Sequence, residues 1–375
     1  MSRLRAAAAA ITLAFGAMSA AWPAAAQSDQ AFMQCDGYGR PSQTDDGMMT
    51  TAGNWGNLFD PTTGNADPAW SMNFDRSRAA SCDAALASPH LEERYWLRRV
   101  NLLRSKAMHL ASAGDDAGAM AALDQARAAG RSDDIFYRRS EGLAVEMLRA
   151  FLLARAGRWA ESDALALEQW RIRPFSRGVT LAAVMVMSGG PSQAERDRLL
   201  LRLHQLDPRH FPEPSASRFK RALLPSSASA VQILYGALPK PETRETFLTY
   251  NKRLKRWRDF EKPWFPLRAV EGEKAIWVRG WGSVAMVEEL ALLQAAEFAR
   301  ERRRSSFIVF GRSDVRFYQD GAPAGIATTL QITSVDGVNP TAYFAERRAR
   351  LIPADEVYAA LADTYGRAAA RAWPQ

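Results

Sequence analysis

The chain has 375 residues and a formal net charge of +8 at neutral pH. Its length predicts roughly two domains, and its positive charge favours anionic surroundings such as phospholipid head groups or acidic envelope polymers. The two cysteines and four scattered histidines show no His-x-x-x-His or Cys-x-x-Cys spacing, which argues against a metal site. After the first residues, no apolar run approaches the ~18 residues of a membrane span.

Residues 1–26 have the three parts of a secretory signal peptide. Arg3 and Arg5 give a positive start, residues 6–21 are apolar, and small residues precede Gln27. The pattern predicts cleavage between Ala26 and Gln27 and a soluble periplasmic protein. An uncleaved anchor helix is the alternative, but the apolar stretch is short for one.

Residues 27–78 are rich in Gly, Asp, Asn, Thr and Pro, which predicts an irregular N-terminal arm. The aromatic side chains Trp55 and Trp70 are expected to pack on the domain behind the arm, and a sugar-binding surface is the alternative. Cys35 and Cys82 are a candidate disulfide, because the oxidising periplasm allows two cysteines to pair.

Residues 79–240 have the apolar spacing of a helical array. Within residues 142–174 two helices are joined by a turn at Gly157, and a proline closes the second helix. Trp159 and Trp170 lie about three helical turns apart, so we expect both to be buried against a neighbouring unit. A hairpin of this kind cannot bury its apolar face alone, which predicts neighbours of the same shape.

Aligning Gly114 with Gly157 reveals a second hairpin, and residues 178–208 give a third. This arrangement resembles the tetratricopeptide repeat, a helical hairpin of about 34 residues. The two glycines are further apart than one repeat, so the resemblance requires an insertion near residues 131–139. It implies a concave protein-binding face, and a generic array of helical hairpins is the alternative. Residues 210–241 are expected to cap the array.

A strongly basic helix is predicted from Glu242 to Asp259. Its cations form a candidate patch for anionic surfaces, and they are Lys252, Arg253, Lys255, Arg256 and Arg258. The alternative is a solvated helix face anchored by Leu254 and Trp257. The export signal argues against nucleic acid as a partner.

Residues 241–375 include a change from helical to mixed periodicity. Strands are predicted over 274–280, 306–311 and 325–335, and helices over 284–302 and 353–371. The order strand, helix, strand, strand, helix indicates a small α+β domain. The fold class of the whole chain is therefore α+β, with a tetratricopeptide-like helical-hairpin array followed by this domain.

The segments LLQAAEFARERRRSSFIVFGRSD and IPADEVYAALAD also carry a resemblance. They are similar to a family of small bacterial envelope lipoproteins of unknown function, in which an Ala-Glu helix runs straight into a hydrophobic strand. This chain lacks the cysteine of a lipobox, so the resemblance does not imply membrane anchoring. The family offers no catalytic residues to transfer.

The sequence contains no Gly-x-Ser-x-Gly, Walker, Gly-x-Gly-x-x-Gly or His-Glu-x-x-His motif. Polar residues flank the strand that begins at Ser306, including Arg312, but the last histidine of the chain is His210. Glu288 and Glu289 are adjacent on a helix and point about 100° apart, so they are not expected to form a carboxylate pair. We therefore expect a non-catalytic protein without a cofactor.

These patterns together predict an exported envelope protein that acts as a protein–protein interaction or assembly scaffold. Its expected partner is another envelope protein, with weak contact to anionic lipid or cell-wall polymer. The alternative is an envelope glycan-binding protein or a degenerate envelope hydrolase. A pocket with a perturbed carboxylate near Trp55 or Arg312 would favour that alternative.

Overall fold

The computed structural model describes residues 24–41, 74–187, 190–207, 230–242, 273–280, 284–319, 322–335 and 351–372. Within these ranges the chain is mostly helical and carries a small antiparallel sheet near its C-terminus, which agrees with the predicted α+β class. No helix in this part of the chain is both long enough and apolar enough to cross a bilayer.

The described chain up to residue 237 is built from helices. They are α1 Ala24–Asp36, α2 Arg76–Leu86, α3 Trp96–Ser112, α4 Asp116–Ala129, α5 Ile135–Arg139, α6 Glu141–Arg155, α7 Trp159–Ile172, α8 Arg177–Val186, α9 Gln193–Leu206 and α10 Ala230–Ala237. Several begin after a side chain that accepts a hydrogen bond from an N–H of the first turn, and these are Asp75, Asp115, Asp134 and Ser176. Short oxygen-bearing side chains favour helix starts because those N–H groups lack partners within the helix.

Three pairs of consecutive helices form hairpins: α3 with α4, α6 with α7, and α8 with α9. The first helices of the hairpins also contact one another, α3 with α6 and α6 with α8. One apolar core runs through all three hairpins and includes Leu103, Leu148 and Leu203. Each hairpin therefore buries its apolar face against the next one.

Gly114 and Gly157 end α3 and α6 in the same way. Their φ angles are +79° and +76°, and the N–H of the following residue donates to the carbonyl five positions back, at 2.9 Å in both turns. This left-handed ending favours glycine, which has no Cβ to clash. The geometry agrees with the predicted reversal at Gly157 and with its alignment to Gly114. The short helix α5 lies in the predicted insertion near residues 131–139.

The buried face of α7 differs from the predicted one, since it consists of Ser162, Asp163, Ala166 and Gln169. Trp159 is only half-buried, because it is the first residue of the helix and adjoins the exposed turn. The prediction that Trp159 is buried is therefore wrong. Trp170 does pack against the array core, and its Nε1 donates to Thr180 of α8 at 3.3 Å.

The predicted irregular arm over residues 27–78 is wrong in the parts that the structure describes as helix. α1 extends through residue 36, and α2 begins at Arg76. Phe32 and Cys35 of α1 are fully buried, and α1 packs against α2 and α3. Residues three apart lie on one side of a helix, so this spacing gives α1 its buried face.

The prediction that residues 210–241 cap the end of the array does not hold for α10. α10 contacts α8 and α3, which belong to the third and first hairpins. Its residues Ala230, Val231, Leu234 and Tyr235 are buried in the core of the array. Residues 238–242 continue from it without regular secondary structure.

The C-terminal residues form an antiparallel sheet in the order β1-β3-β2-β4, with two helices: β1 Glu273–Gly280, α11 Val284–Glu301, β2 Ser306–Gln319, β3 Ala322–Val335, β4 Ile352–Pro353 and α12 Ala354–Ala372. The strands β2 and β3 pair along their whole length, so β2 runs well beyond the predicted end at residue 311. α11 packs on β1, β2 and β3, and α12 packs on α11.

A second apolar core joins this C-terminal layer to the array. It combines Leu290 of α11, Phe307 of β2 and Leu361 of α12 with Phe175 and Leu206 of the array. The layer therefore packs against the residues that follow α7 and against the end of α9.

Candidate functional site

Charged side chains gather where the C-terminal layer meets the array. Arg173, the residue after α7, is fully buried and makes two hydrogen bonds to Glu289 of α11, Nε to Oε1 at 3.1 Å and Nη2 to Oε2 at 2.7 Å. Arg139 Nη2 donates to Glu289 Oε2 at 2.9 Å, and the Tyr365 hydroxyl of α12 donates to the same oxygen at 2.7 Å. One carboxylate thus binds groups from three parts of the chain.

Glu242 completes this arrangement from the stretch that follows α10. Arg173 Nη1 donates to Glu242 Oε1 at 3.0 Å and to the Arg139 carbonyl at 2.9 Å. We call Arg139, Arg173, Glu242, Glu289 and Tyr365 the junction cluster. Its members are at most 7% exposed, so they are shielded from water.

Glu289 and Tyr365 are held in fixed charge states within the junction cluster. Burial favours the neutral form of Glu289, but Arg173 and Arg139 outweigh that effect and lower its pKa to about 2. Burial and the nearby Glu289 charge raise the pKa of Tyr365. Glu289 is therefore ionised and Tyr365 neutral at neutral pH, and neither is suited to exchange protons there.

Glu288, the neighbour of Glu289, reaches a different part of the array. Its Oε2 accepts a hydrogen bond from the N–H of Arg177, the first residue of α8, at 3.0 Å. Its other oxygen binds Arg312 of β2. A carboxylate at a helix N-terminus is favourable because it complements the helix dipole. The adjacent carboxylates thus have separate partners, as their helical spacing predicts.

A second network of buried polar side chains runs through the array from α1 to α6. Asp36 accepts hydrogen bonds from Arg98 at 2.8 Å and from Asn101 at 2.6 Å. Arg104 donates to Asn101 Oδ1 at 2.9 Å, and its Nε lies 2.8 Å from Glu141 Oε1. Burial raises the pKa values of Asp36 and Glu141 in spite of the facing arginines. This network links α1, α3 and α6 through ionisable side chains that are shielded from water.

The structure contains a disulfide bond between Cys35 and Cys82, with the two Cα atoms 4.7 Å apart. It links α1 to α2. His109 Nε2 lies 2.9 Å from the Cys35 carbonyl, and the N–H of Asp75 donates to His109 Nδ1 at 3.3 Å. The ring proton is therefore on Nε2, and burial lowers the pKa of His109. Both ring nitrogens are engaged, which leaves neither available for a metal or a proton transfer.

The first helices of the hairpins also bind residues 230–242. Arg104 of α3 donates to the Pro239 carbonyl at 3.4 Å, and Ser140, just before α6, accepts from the N–H of Glu242 at 3.0 Å. We call residues 230–242 the inner segment, and the surface on which it lies, formed by α3, α8 and the residue before α6, the inner groove. The junction cluster stands at the end of this groove, because Glu242 belongs to both.

The predicted surface patch lies outside the described residues, and its members are Lys252, Arg253, Lys255, Arg256 and Arg258. Trp55 and Trp70 lie outside them as well. Arg312 is buried in its ion pair with Glu288. Within the described ranges, no group of His, Cys, Asp and Glu side chains is arranged to hold a metal ion.

The sequence analysis missed Arg139, Arg173 and the role of Glu289. A signal was present for Glu289, because it shares a helical face with Met286 and Leu293. A charged residue on an apolar stripe indicates a buried partner. Arg173 gave no comparable signal, since an arginine at a helix C-terminus is ordinary.

Comparisons of the chain with protein-family models, with curated proteins and with solved structures found no match. The functional argument therefore rests on the contacts described above.

Proposed function

We propose that this chain is an exported envelope protein that acts as a non-catalytic scaffold for protein–protein interaction or assembly. The observation that carries the proposal is the packing of three successive hairpins, whose first helices α3, α6 and α8 lie side by side. Repeat proteins use such extended surfaces to bind other proteins. The tetratricopeptide-like character of the array, drawn from the equivalent turns at Gly114 and Gly157, is part of the proposal.

The use of charge supports a structural role. Asp36, Glu288 and Glu289 are buried and bind arginines that come from other parts of the chain. A catalytic acid or base has to reach the substrate directly or through one water. These carboxylates are instead enclosed by the groups that they join.

Export is supported by the leader pattern over residues 1–26 and by the Cys35–Cys82 disulfide, a bond that persists in oxidising compartments. The proposed partner is another envelope protein. The basic stretch over residues 252–258 would add weak contact with anionic lipid or cell-wall polymer.

Proximity labelling of the full-length chain in the intact envelope tests the scaffold proposal. The labelling enzyme is fused to the C-terminus, and the same enzyme on an unrelated exported protein serves as the control. We expect the same envelope protein to be enriched in every replicate and to bind the purified chain directly. If the labelled proteins are the same as those labelled in the control, the proposal is overturned.

A further inference from the structure

The inner segment packs on the first helices of the two outer hairpins. α10 contacts both α3 and α8, and these two helices flank α6. A straight row of three helices would hold its outer members too far apart for one short helix to touch both, since packed helices are about 8–10 Å apart. The row therefore curves around α10, and the inner segment occupies the space where a curved array binds ligands.

Tyr235 anchors the inner segment in the groove. It is 1% exposed, and its ring meets the ring of Phe74 edge-on at a centroid distance of 4.8 Å. The guanidinium of Arg104 lies 5.5 Å from the Tyr235 ring centroid. A buried aromatic residue in contact with an arginine is typical of the residues that dominate binding energy at protein interfaces.

The groove also fits the backbone of the inner segment. At Gly178 of α8, an added Cβ would lie 2.2 Å from the Ala237 carbonyl oxygen, so only glycine allows this approach. Further along, Arg104 binds the Pro239 carbonyl, Ser140 binds the N–H of Glu242, and Arg173 binds the Glu242 carboxylate. Proteins recognise peptides in the same way: they form hydrogen bonds to the peptide main chain, bury one anchoring side chain and bind a carboxylate with an arginine.

We infer that the inner groove is a peptide-binding site and that residues 230–242 occupy it as a ligand from the same chain. The partner that fits this site is a protein segment of the same chemistry: a short apolar helix with an aromatic anchor, then a proline-containing stretch without regular secondary structure that ends in a carboxylate. This inference rests on the proposed scaffold function and names the site through which the scaffold acts. The partner displaces the inner segment when it binds.

Competition within the chain sets the expected affinity. Because the inner segment belongs to the same chain as the groove, its effective concentration there is on the order of millimolar. A partner segment of equal intrinsic affinity must therefore reach a similar concentration, or bind more tightly through added contacts. The inner segment thus keeps the groove closed to weak, non-specific peptides.

Fluorescence anisotropy with a labelled peptide of residues 230–242 tests the inference on the full-length chain. In the released variant, Tyr235→Ala with Glu242→Ala, the inner segment loses its anchor and its clamp. We expect this variant to bind the peptide about tenfold or more tightly than the wild type does, because the competitor is weakened. Gln125→Ala, an exposed change on α4, is the control and should bind like the wild type. A peptide that carries Tyr235→Ala and Glu242→Gln should lose most of its binding.

A released variant that keeps its circular dichroism spectrum and cooperative melting but does not bind the peptide would overturn the inference. If that variant does not fold, hydrogen exchange on the wild type decides. Excess unlabelled peptide of equal intrinsic affinity should displace the inner segment from about half of the molecules once it matches the effective concentration, so exchange in residues 231–238 should rise many-fold. Unchanged exchange at several-fold higher peptide concentration, on the order of 10 mM, would equally overturn it.

The outcomes separate this inference from the scaffold proposal. A chain that fails both peptide tests but still enriches an envelope partner in proximity labelling binds that partner through another face. In that case the scaffold proposal stands and the groove assignment fails.

Discussion

Arg173 and Glu289 are 116 positions apart in the chain, yet they form a fully buried ion pair with two hydrogen bonds. Arg173 belongs to the array, and Glu289 belongs to the helix that covers the C-terminal sheet. An unpaired buried charge costs several kcal/mol, so each side of the pair requires the other. The array and the C-terminal layer are therefore expected to unfold together.

Removal of the arginine tests this dependence. We expect Arg173→Ala to lower the free energy of unfolding by about 3–5 kcal/mol, because Glu242 loses its ion pair with Arg173 and Glu289 keeps only Arg139 and Tyr365. Urea unfolding measures the change. Arg171→Ala, an exposed position at the end of α7, is the matched control and should shift the free energy by no more than about 0.5 kcal/mol. Equal midpoints for the two variants would contradict the structural role of Arg173.

The pH dependence of stability tests the ionised state of Glu289. Its folded-state pKa of about 2 lies below its usual value of 4.5, so its contribution is complete above pH 4.5 and is lost as the pH falls toward 2. Glu289→Gln removes this contribution, and its unfolding free energy should fall less steeply over that range than that of the wild type. Asp36 and Glu141, whose pKa values are raised, contribute with the opposite sign in both proteins and cancel in the comparison. If the unfolding free energies of the wild type and the variant fall in parallel over this pH range, Glu289 is not held ionised.

Reduction of the disulfide should destabilise the protein. Cys35 and Cys82 are separated by 47 positions, and a closed loop of this size corresponds to about 4 kcal/mol of unfolding free energy. We expect a reductant to lower the urea midpoint of the wild type and to leave the Cys35→Ala, Cys82→Ala double variant unchanged. Two free thiols detected in protein purified without a reductant would show that the bond does not form.

The two turn glycines should respond differently from a glycine inside a helix. A Cβ at Gly114, Gly157 or Gly236 meets no atom within 4 Å, but only the first two residues have positive φ. Alanine at Gly114 or Gly157 should therefore destabilise by about 1–2 kcal/mol through backbone strain alone. Gly236→Ala should instead stabilise by about 0.5–1 kcal/mol, because alanine has the higher helix propensity. If Gly157→Ala and Gly236→Ala shift the melting temperature in the same direction, the left-handed turn at Gly157 is contradicted.

Local features of the fold were predictable from the sequence. The turn at Gly157 follows from a glycine between two apolar helical stripes, and the order strand, helix, strand, strand, helix follows from changes in apolar period. The insertion near residues 131–139 was predicted by aligning Gly114 with Gly157, and α5 lies there. In each case the deciding interactions lie within a few residues of one another.

Features that depend on distant contacts were not predictable. The sequence predicts residues 210–241 as a cap of the array, but α10 packs on α3 and α8, helices of the first and third hairpins. Residues 27–36 resemble a loop in composition, and their helix is buried only because α2 and α3 pack against it. The junction cluster combines side chains from five separate stretches of sequence, and no local pattern links them.

The adjacent residues Glu288 and Glu289 fix how α11 sits on the array. One binds the first residue of α8 and the other binds the arginine that follows α7. Because neighbouring helical side chains point about 100° apart, a rotation of α11 that improved one contact would break the other. A shift of α11 along its axis by one residue, about 1.5 Å, would misalign both. The two carboxylates therefore fix both the rotation and the axial position of α11. A one-residue insertion directly after Glu289 should loosen the C-terminal layer from the array, because it turns both carboxylates by about 100° relative to the rest of the helix.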